Sequence, residues 1–433
     1  MENKPIEKPE PKKPESEKPD VGKIFLEELT GSRKGKKPAG RGWVVPALSI
    51  LTGLVMGAIL IILTSPEVWA GFGQSFGAGL LAMWNSIVNA YGALFKGSIG
   101  DPALIISAFQ SGDPAAIRSA VNPILESLVT ATPYIFTGLA VAVGFRSGLF
   151  NIGVEGQLYI GAAAATFVGF AVKGLPGYIH MPLAMLAGAV GGGLWGYIPG
   201  WLKAKTGGHE VINTIMMNWI AINFTSWLLS SGPLQRPNAG GSPISPEVLP
   251  TAFIPRFFAS PIRFHLGFFI ALLIAWLVYW FLFKTTWGFD LRTVGANPNA
   301  GRYAGMNIVR NTVIAMTISG ALAGLAGANQ ILALDHSMST SVSAGYGFDS
   351  IALALLGNST PFGVVLASLL FGFLNNGATQ MMRDASIPIS IISVIQSFII
   401  VFIAAPALIR TIFRVKELKA ADSGVSIRSW GGN

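Results

Sequence analysis

The sequence contains no cysteine, and its four histidines are scattered along 433 residues. A chain without cysteine can form neither a disulfide framework nor a thiolate metal site or nucleophile. Histidines this far apart form no ligand cluster, so we predict neither a bound metal nor a cofactor. The chain also lacks the Gly-x-x-x-x-Gly-Lys-Ser/Thr motif that cradles nucleotide phosphates, so any ATP chemistry must belong to a partner.

Charged residues are scarce as well. They make up 12% of this chain, against about 25% in a typical soluble domain, while hydrophobic residues make up 51%. The net charge of +9 raises the possibility of nucleic-acid binding. The basic residues lie mostly beside apolar runs, however, which indicates orientation in a membrane and no nucleic-acid partner. Composition therefore predicts an all-α integral membrane protein.

Three regions follow from the distribution of charge. Residues 1–42 hold nineteen of the charged residues and many prolines, which predicts a disordered tail. Residues 43–412 form the predicted transmembrane domain, and residues 413–433 a second polar tail. A basic cluster at Arg33–Arg41 precedes the first apolar run and places the N-terminus in the cytoplasm. The count of spans places the C-terminal tail on the same side.

Apolar runs predict about ten membrane segments, some of them discontinuous. The segment Phe76–Phe95 is apolar but interrupted by polar residues. We expect it to lie at the membrane–water interface or to be partly inserted, and the alternative is that it crosses the membrane. The ten expected segments are Val44–Leu63, Pro123–Phe145, Gly148–Val172, Met181–Trp201, Val211–Ser230, Phe264–Phe283, Asn311–Leu332, Gly347–Leu356, Phe362–Thr379 and Ile387–Ile409.

The second to fifth segments and the seventh to tenth segments look related. Each set holds four segments, with a short glycine-punctuated element near its second member. Five segments separate the starts of the two sets, so the two sets would run in opposite directions. The pattern predicts an inverted four-helix repeat.

The stretch Gly148–Gln157 is the most unusual part of the sequence. Each glycine inside a helix costs about 1 kcal/mol relative to alanine, and a carboxylate within a membrane helix costs roughly 2.5–3.5 kcal/mol. Such residues are tolerated where a broken helix lines a polar route. If the helix begins at Phe150, Asn151 and Glu155 share a face and Gln157 turns aside. We expect Asn151, Glu155 and Gln157 to lie at a pathway or gate; the alternative for Glu155 is a structural ion pair with Arg146 or Lys203.

Further candidates lie on other segments. Asn213 and Asn218 are expected either at the pathway or in hydrogen bonds between helices. Asp349 begins a short helix, where a carboxylate favours the positive end of the dipole, so a cap is its alternative role. The polar loop Thr285–Arg310 contains Asn297-Pro298, a typical helix start, and a short helix that a partner could grip. The residues expected to couple to that partner are Gly295, Asn297, Pro298, Ala300, Gly301, Arg302 and Gly305.

At these residues the chain resembles a known family. The stretches Gly148–Gln157, Gly208–Asn218, Gly295–Met306 and Gly347–Ala352 are similar, in one order, to signatures of the permease subunits of nucleoside-type ABC importers. The resemblance covers roughly residues 120–410. The broader family also includes permeases for ribose, other simple sugars and branched-chain amino acids.

The resemblance implies a channel-forming subunit that is not itself an enzyme. It further implies a related second permease in a heterodimer, a cytoplasmic ATP-binding subunit and an extracellular substrate-binding lipoprotein. Its substrate would be a nucleoside, with a ribose-type sugar as the alternative. An ion-coupled secondary transporter predicts several carboxylates near mid-membrane, and an integral-membrane enzyme predicts His, Asp or Glu clusters on facing helices; the sequence favours neither.

Overall fold

A computed structural model describes residues 44–238, 240–385, 387–404, 408–409 and 412–413. The tail 1–42 and residues 414–433 lie outside the described residues. The described residues form helices joined by loops and no named strand. The fifteen helices are α1 (Val44–Thr64), α2 (Pro66–Gln74), α3 (Phe76–Ile99), α4 (Pro102–Ser111), α5 (Pro114–Arg146), α6 (Val154–Ala171), α7 (Gly177–Thr206), α8 (Glu210–Ser230), α9 (Gly267–Lys284), α10 (Thr286–Ala296), α11 (Pro298–Tyr303), α12 (Ile308–Gln330), α13 (Tyr346–Leu356), α14 (Pro361–Ala385) and α15 (Ile389–Ala404).

Six of the described helical segments are long and apolar enough to cross a membrane. Shorter apolar helices accompany them, among them α4, α13 and the middle of α15. The helical integral-membrane fold expected from composition is therefore confirmed. Helix α3 has 24 residues but does not belong to the six, and neither do α6 and α8, so its interfacial position stays a prediction. The six segments are Ala47–Thr64, Pro114–Arg146, Gly177–Thr206, Gly267–Lys284, Ile308–Asp335 and Pro361–Ala385.

Local sequence explains where several helices begin. Asp113 precedes α5 and accepts hydrogen bonds from the amides of Ala115 and Ala116, and Pro114 occupies the first helical position. Asp101 caps α4 in the same way, ahead of Pro102. Both pairs satisfy amides that a helix leaves without partners, and proline loses nothing at that position.

The two related sets of segments pack in matching pairs. Helix α5 packs on α14 as α12 packs on α7, and α5 packs on α13 as α12 packs on α6. The two first members, α5 and α12, run antiparallel: the Ser319 hydroxyl donates to the Ala140 carbonyl, and the end of α5 lies beside Gly295 of α10, ahead of the start of α12. These contacts are those that an inverted repeat would produce.

Glycines let α7 and α12 approach to backbone contact. A Cβ added at Gly324 would collide with the Gly188 carbonyl oxygen and lie 3.0 Å from the Gly192 Cα. Farther along the same pair of helices, Gly200 faces Met316, so the two run antiparallel. Close packing of small residues is the usual way that membrane helices associate, since lipid offers no hydrophobic driving force between them.

Helix α12 ends in a π-helical turn at Ile331–Asp335. A π turn widens the helix and frees carbonyl groups, and the loop between α8 and α9 supplies donors for them. The Ile254 amide bonds to the Leu332 carbonyl at 2.9 Å, and the Arg256 guanidinium bonds to the Ala333 carbonyl at 3.1 Å. The loop is thereby fixed to the end of α12.

Candidate functional site

A glycine-rich, non-helical segment at residues 147–153, here called the break, separates α5 from α6. The helix after the break begins later than the sequence suggested. It starts at Val154, not at Phe150, and the chain between α5 and α6 is not helical. Gly148 has a φ of 69°, a left-handed conformation that favours glycine and turns the chain out of α5. Glu155 is therefore the second residue of α6, not a residue well inside a helix. It lies at the positive end of the helix dipole, where a carboxylate is stabilised.

Asn151 and Gln157 form a pair that sequence spacing did not predict. The Asn151 Nδ2 donates to Gln157 Oε1 at 2.9 Å, and the Gln157 Nε2 donates back to Asn151 Oδ1 at 3.2 Å. The expectation that Asn151 and Glu155 share a helix face while Gln157 turns aside is wrong, because Asn151 lies before the helix and helical spacing does not apply to it. Asn151 also donates to the Ser319 hydroxyl at 2.8 Å, which ties the break to α12.

The break is held on its other side by α8. Asn218 Oδ1 accepts a hydrogen bond from the Gly156 amide, and its Nδ2 donates to the Ile152 carbonyl, both at 2.8 Å. One side chain thus satisfies backbone groups on both sides of the helix start. Asn213, one turn earlier, has its amide nitrogen beside Gly208 at the start of α8 and is not brought to the break.

Glu155 joins the starts of two helices. Its side chain is buried, and Oε2 accepts a hydrogen bond of 2.8 Å from the amide of Gly347 in the first turn of α13. The N-terminal ends of α6 and α13 therefore meet with one carboxylate between them, and both dipoles favour its negative charge.

The ion-pair alternative for Glu155 is wrong in the described structure. Arg146 donates instead to the carbonyls of Ser359 and Asn358, each at 2.9 Å. Lys203 pairs with Glu210 at 2.7 Å. Both bases are thus engaged elsewhere.

Asp349 belongs to a polar chain that the sequence did not reveal. Its Oδ2 accepts a hydrogen bond of 3.0 Å from the Tyr134 hydroxyl, and Asn375 donates to that hydroxyl at 2.8 Å. Gln396 in turn donates to Asn375 Oδ1 at 3.1 Å. Helices α5, α13, α14 and α15 are thereby linked through polar side chains, which bury at little cost only when each has a partner. Asparagine and glutamine side chains within apolar segments were the available sequence signal, but their spacing did not predict their hydrogen-bond partners.

The expected short helix in the polar loop is confirmed as α11. Asn297 accepts hydrogen bonds from the Asn299 and Ala300 amides at 3.0 and 3.2 Å, with Pro298 first in the helix. Gly305 follows with a φ of 79°. Asn297, Pro298, Ala300 and Arg302 are exposed, as is Tyr303, whereas Gly301 is buried against Val294 and serves to pack α11 on α10.

Gly295 connects this short helix with the break. A Cβ at Gly148 would lie 2.6 Å from the Gly295 carbonyl oxygen, and a Cβ at Gly295 would lie 2.7 Å from the Arg146 carbonyl oxygen. Two backbones touch here with no side chain between them. A displacement of α10 and α11 must therefore move the chain that leads to Asn151 and Glu155.

The fold combines long apolar helices, two matched sets of helices, an interrupted helix with buried polar side chains and an exposed short helix. Together these features define a membrane permease. Residues 123–404 match the family described as the permease component of the branched-chain amino acid transport system, and the chain belongs to that family. It is therefore a multi-pass membrane protein.

Curated relatives resemble the chain along most of its length. The guanosine ABC transporter permease protein NupP of Bacillus subtilis is 39% identical over 380 residues, which cover 88% of this chain and 98% of the relative. The nucleoside ABC transporter permease protein NupB of Lactococcus lactis is 31% identical over 387 residues, or 88% and 96% of the two chains. The glucose ABC transporter permease protein TsgB13 of Haloferax volcanii is 32% identical over 380 residues, or 84% and 88%. No solved structure matches.

Proposed function

We propose that this chain is the permease subunit of an ABC importer that takes up nucleosides. The observation that carries the proposal is the 39% identity to a guanosine permease, across 98% of that relative. ATP hydrolysis belongs to a cytoplasmic partner, and an extracellular lipoprotein delivers the substrate. The family resemblance also supports a second, related permease as the other half of the channel, in a bacterial plasma membrane.

The chemistry of the break suits a neutral solute with many donors and acceptors. Amide and carboxylate side chains bind such a solute without a strong net field. In the described conformation Asn151 and Gln157 bind each other, and Glu155 binds Gly347. We assign these contacts to a closed gate, whose opening exchanges them for contacts with solute or water. Asn218 and Asp349 hold the gate's helices in place, and Asn213 is not assigned to the gate.

Measurements of labelled-solute uptake test which substrate is transported. A deletion strain that regains uptake of labelled guanosine when this chain is restored with its partners supports the proposal. Unlabelled nucleosides should compete, whereas ribose and glucose should not. Competition by sugars alone would instead favour the alternative that the chain is a sugar permease. The similarity to a glucose permease supports that alternative.

The exposed face of α11 is expected to couple transport to ATP hydrolysis. Replacing Arg302 by Glu and Tyr303 by Ala alters side chains that lie in solvent, and Tyr303 is 94% exposed. Because neither side chain supports the fold, membrane insertion should persist, while uptake falls at least tenfold in the presence of an active ATPase. The measurement is uptake beside ATPase activity in proteoliposomes. The control variant Gln74→Glu, which adds a carboxylate at an exposed position of α2, should transport normally. Normal uptake in the α11 variant would exclude α11 as the coupling element.

Orientation is open to a cysteine assay, since the native chain has no cysteine. We place α11 in the cytoplasm with both termini, and the loop between α8 and α9 outside. Cysteine at the exposed Ser242 should react with an impermeant thiol reagent applied to cells, and cysteine at Asn299 should react only after permeabilisation. Labelling of Asn299→Cys in intact cells would reverse the orientation.

A further inference from the structure

A polar cavity lies at the N-terminal end of α5, the end that is remote from α11. Its volume is about 630 Å³, within the range of small-molecule sites. The end of α3, the start of α4, the first part of α5, the chain at Pro261–Arg263 and the last turns of α14 form its walls. Glu126 in its wall is twenty residues from Arg146, or about 30 Å along the helix axis.

The cavity is polar, but its charges balance. Three basic and three acidic side chains line it: Lys96, Arg263, Arg383, Asp101, Glu126 and Asp384. Lys96 pairs with Asp101 at 3.0 Å, and the hydrogen bond from Lys96 holds the pKa of Asp101 below its usual range, so Asp101 stays charged at neutral pH. Arg263 pairs with Glu126 at 2.7 Å. A balanced lining attracts neither anions nor cations strongly.

Uncharged hydrogen-bonding groups complete the lining. Ser119 and Thr379 contribute hydroxyls. The buried Oδ1 of Asn122, also in the lining, accepts no hydrogen bond from any residue that the structure describes. A buried acceptor without a partner is costly, and this one would gain a donor from a bound molecule if the Asn122 amide turned toward the cavity.

The cavity leads toward the gate. Asn376 in its lining adjoins Asn375, whose amide nitrogen donates to the Tyr134 hydroxyl at 2.8 Å. The ring of Tyr346 contacts that of Tyr134 edge to face at 4.9 Å between centroids, and the Tyr134 hydroxyl reaches Asp349. Polar groups therefore continue from the cavity to the helix that carries Gly347, the partner of Glu155.

We propose that this cavity is an outer binding site for the transported solute, a neutral molecule rich in donors and acceptors such as a nucleoside, with the Glu126–Arg263 pair closing its inner end. The site rests on the proposed function, because the orientation and the solute class come from it. Solute released on the outer face would bind here before the gate opens.

Cysteine protection tests the site in the assembled transporter. Ser119→Cys and Thr379→Cys each place a thiol in the cavity of a chain that otherwise has none. Ala115→Cys is the matched control, an exposed position one turn from Ser119 on the same helix and outside the cavity lining. Without ATP, saturating guanosine should slow modification by an impermeant methanethiosulfonate at least threefold at positions 119 and 379, and leave position 115 unchanged.

A bulky variant gives an independent readout. Ser119→Trp narrows the cavity without touching either ion pair and should raise the KM for guanosine uptake several-fold, whereas Ala115→Trp should not. If the transporter takes up guanosine but positions 119 and 379 show no protection, or are closed to the reagent, the outer site is overturned. An unchanged KM in Ser119→Trp overturns it as well. A transporter that takes up no nucleoside would instead refute the proposed function itself, and the site with it.

Discussion

Glu155→Ala is expected to abolish uptake, whereas Glu155→Gln should retain part of it. The carboxylate accepts a hydrogen bond from the Gly347 amide where the starts of α6 and α13 meet. Alanine leaves that buried amide without a partner, at a cost of about 1–3 kcal/mol. Glutamine keeps an acceptor and loses only the charge that the two helix dipoles stabilise.

The measurement is uptake per molecule of transporter in the membrane, determined by quantitative immunoblotting. Glu67→Ala, which removes an exposed carboxylate from α2, is the matched control and should behave as the native chain. Loss of protein in parallel with loss of uptake would assign Glu155 a purely structural role. Unchanged uptake in the alanine variant would remove Glu155 from the gate.

Gly324→Leu is expected to prevent the permease from folding. A Cβ at this position already collides with the Gly188 carbonyl oxygen, so α7 and α12 would have to separate along their whole contact. Overpacking a core costs typically about 1–3 kcal/mol, and a collision between two backbones has no rotamer by which to relax. The amount of monodisperse protein recovered in detergent should fall at least fivefold.

Gly92→Leu is the matched control, since a Cβ at Gly92 meets nothing within 4 Å. Size-exclusion chromatography of fluorescent fusions compares the two variants at equal expression. Equal recovery of both would mean that the glycine contact between α7 and α12 is not needed for assembly.

The sequence was sufficient for the parts of the fold that depend on local pattern. Apolar runs located the long helices, although α5 begins nine residues before the predicted Pro123 and α14 ends six residues after the predicted Thr379. Asn297-Pro298 located the start of α11 because a cap and a proline act on neighbouring amides. The family likewise followed from motifs that can be read in one stretch of chain.

The contacts of the proposed gate could not be predicted in this way. The partner of Glu155 is a backbone amide 192 residues away, and a backbone amide has no side-chain signature. The Asn151–Gln157 pair depends on the helix beginning at Val154, and the left-handed Gly148 that delays this start leaves no periodic pattern. Tyr134 was overlooked because a single tyrosine in an apolar helix resembles any other buried aromatic residue.

The length of α5 has a mechanical consequence. The helix contacts α12 at Ala140, where the Ser319 hydroxyl binds its carbonyl, so this point can serve as a fulcrum. Arg146 lies about 9 Å from the fulcrum on the side of α11, and Ser119 lies about 32 Å away on the other side. If Pro123 and Pro133 within α5 do not bend and the helix moves as one rod, a displacement of about 1 Å at Arg146 becomes one of about 3.5 Å, in the opposite direction, at the cavity wall. A small displacement imposed by the proposed ATPase partner would thus be amplified at the other end of α5.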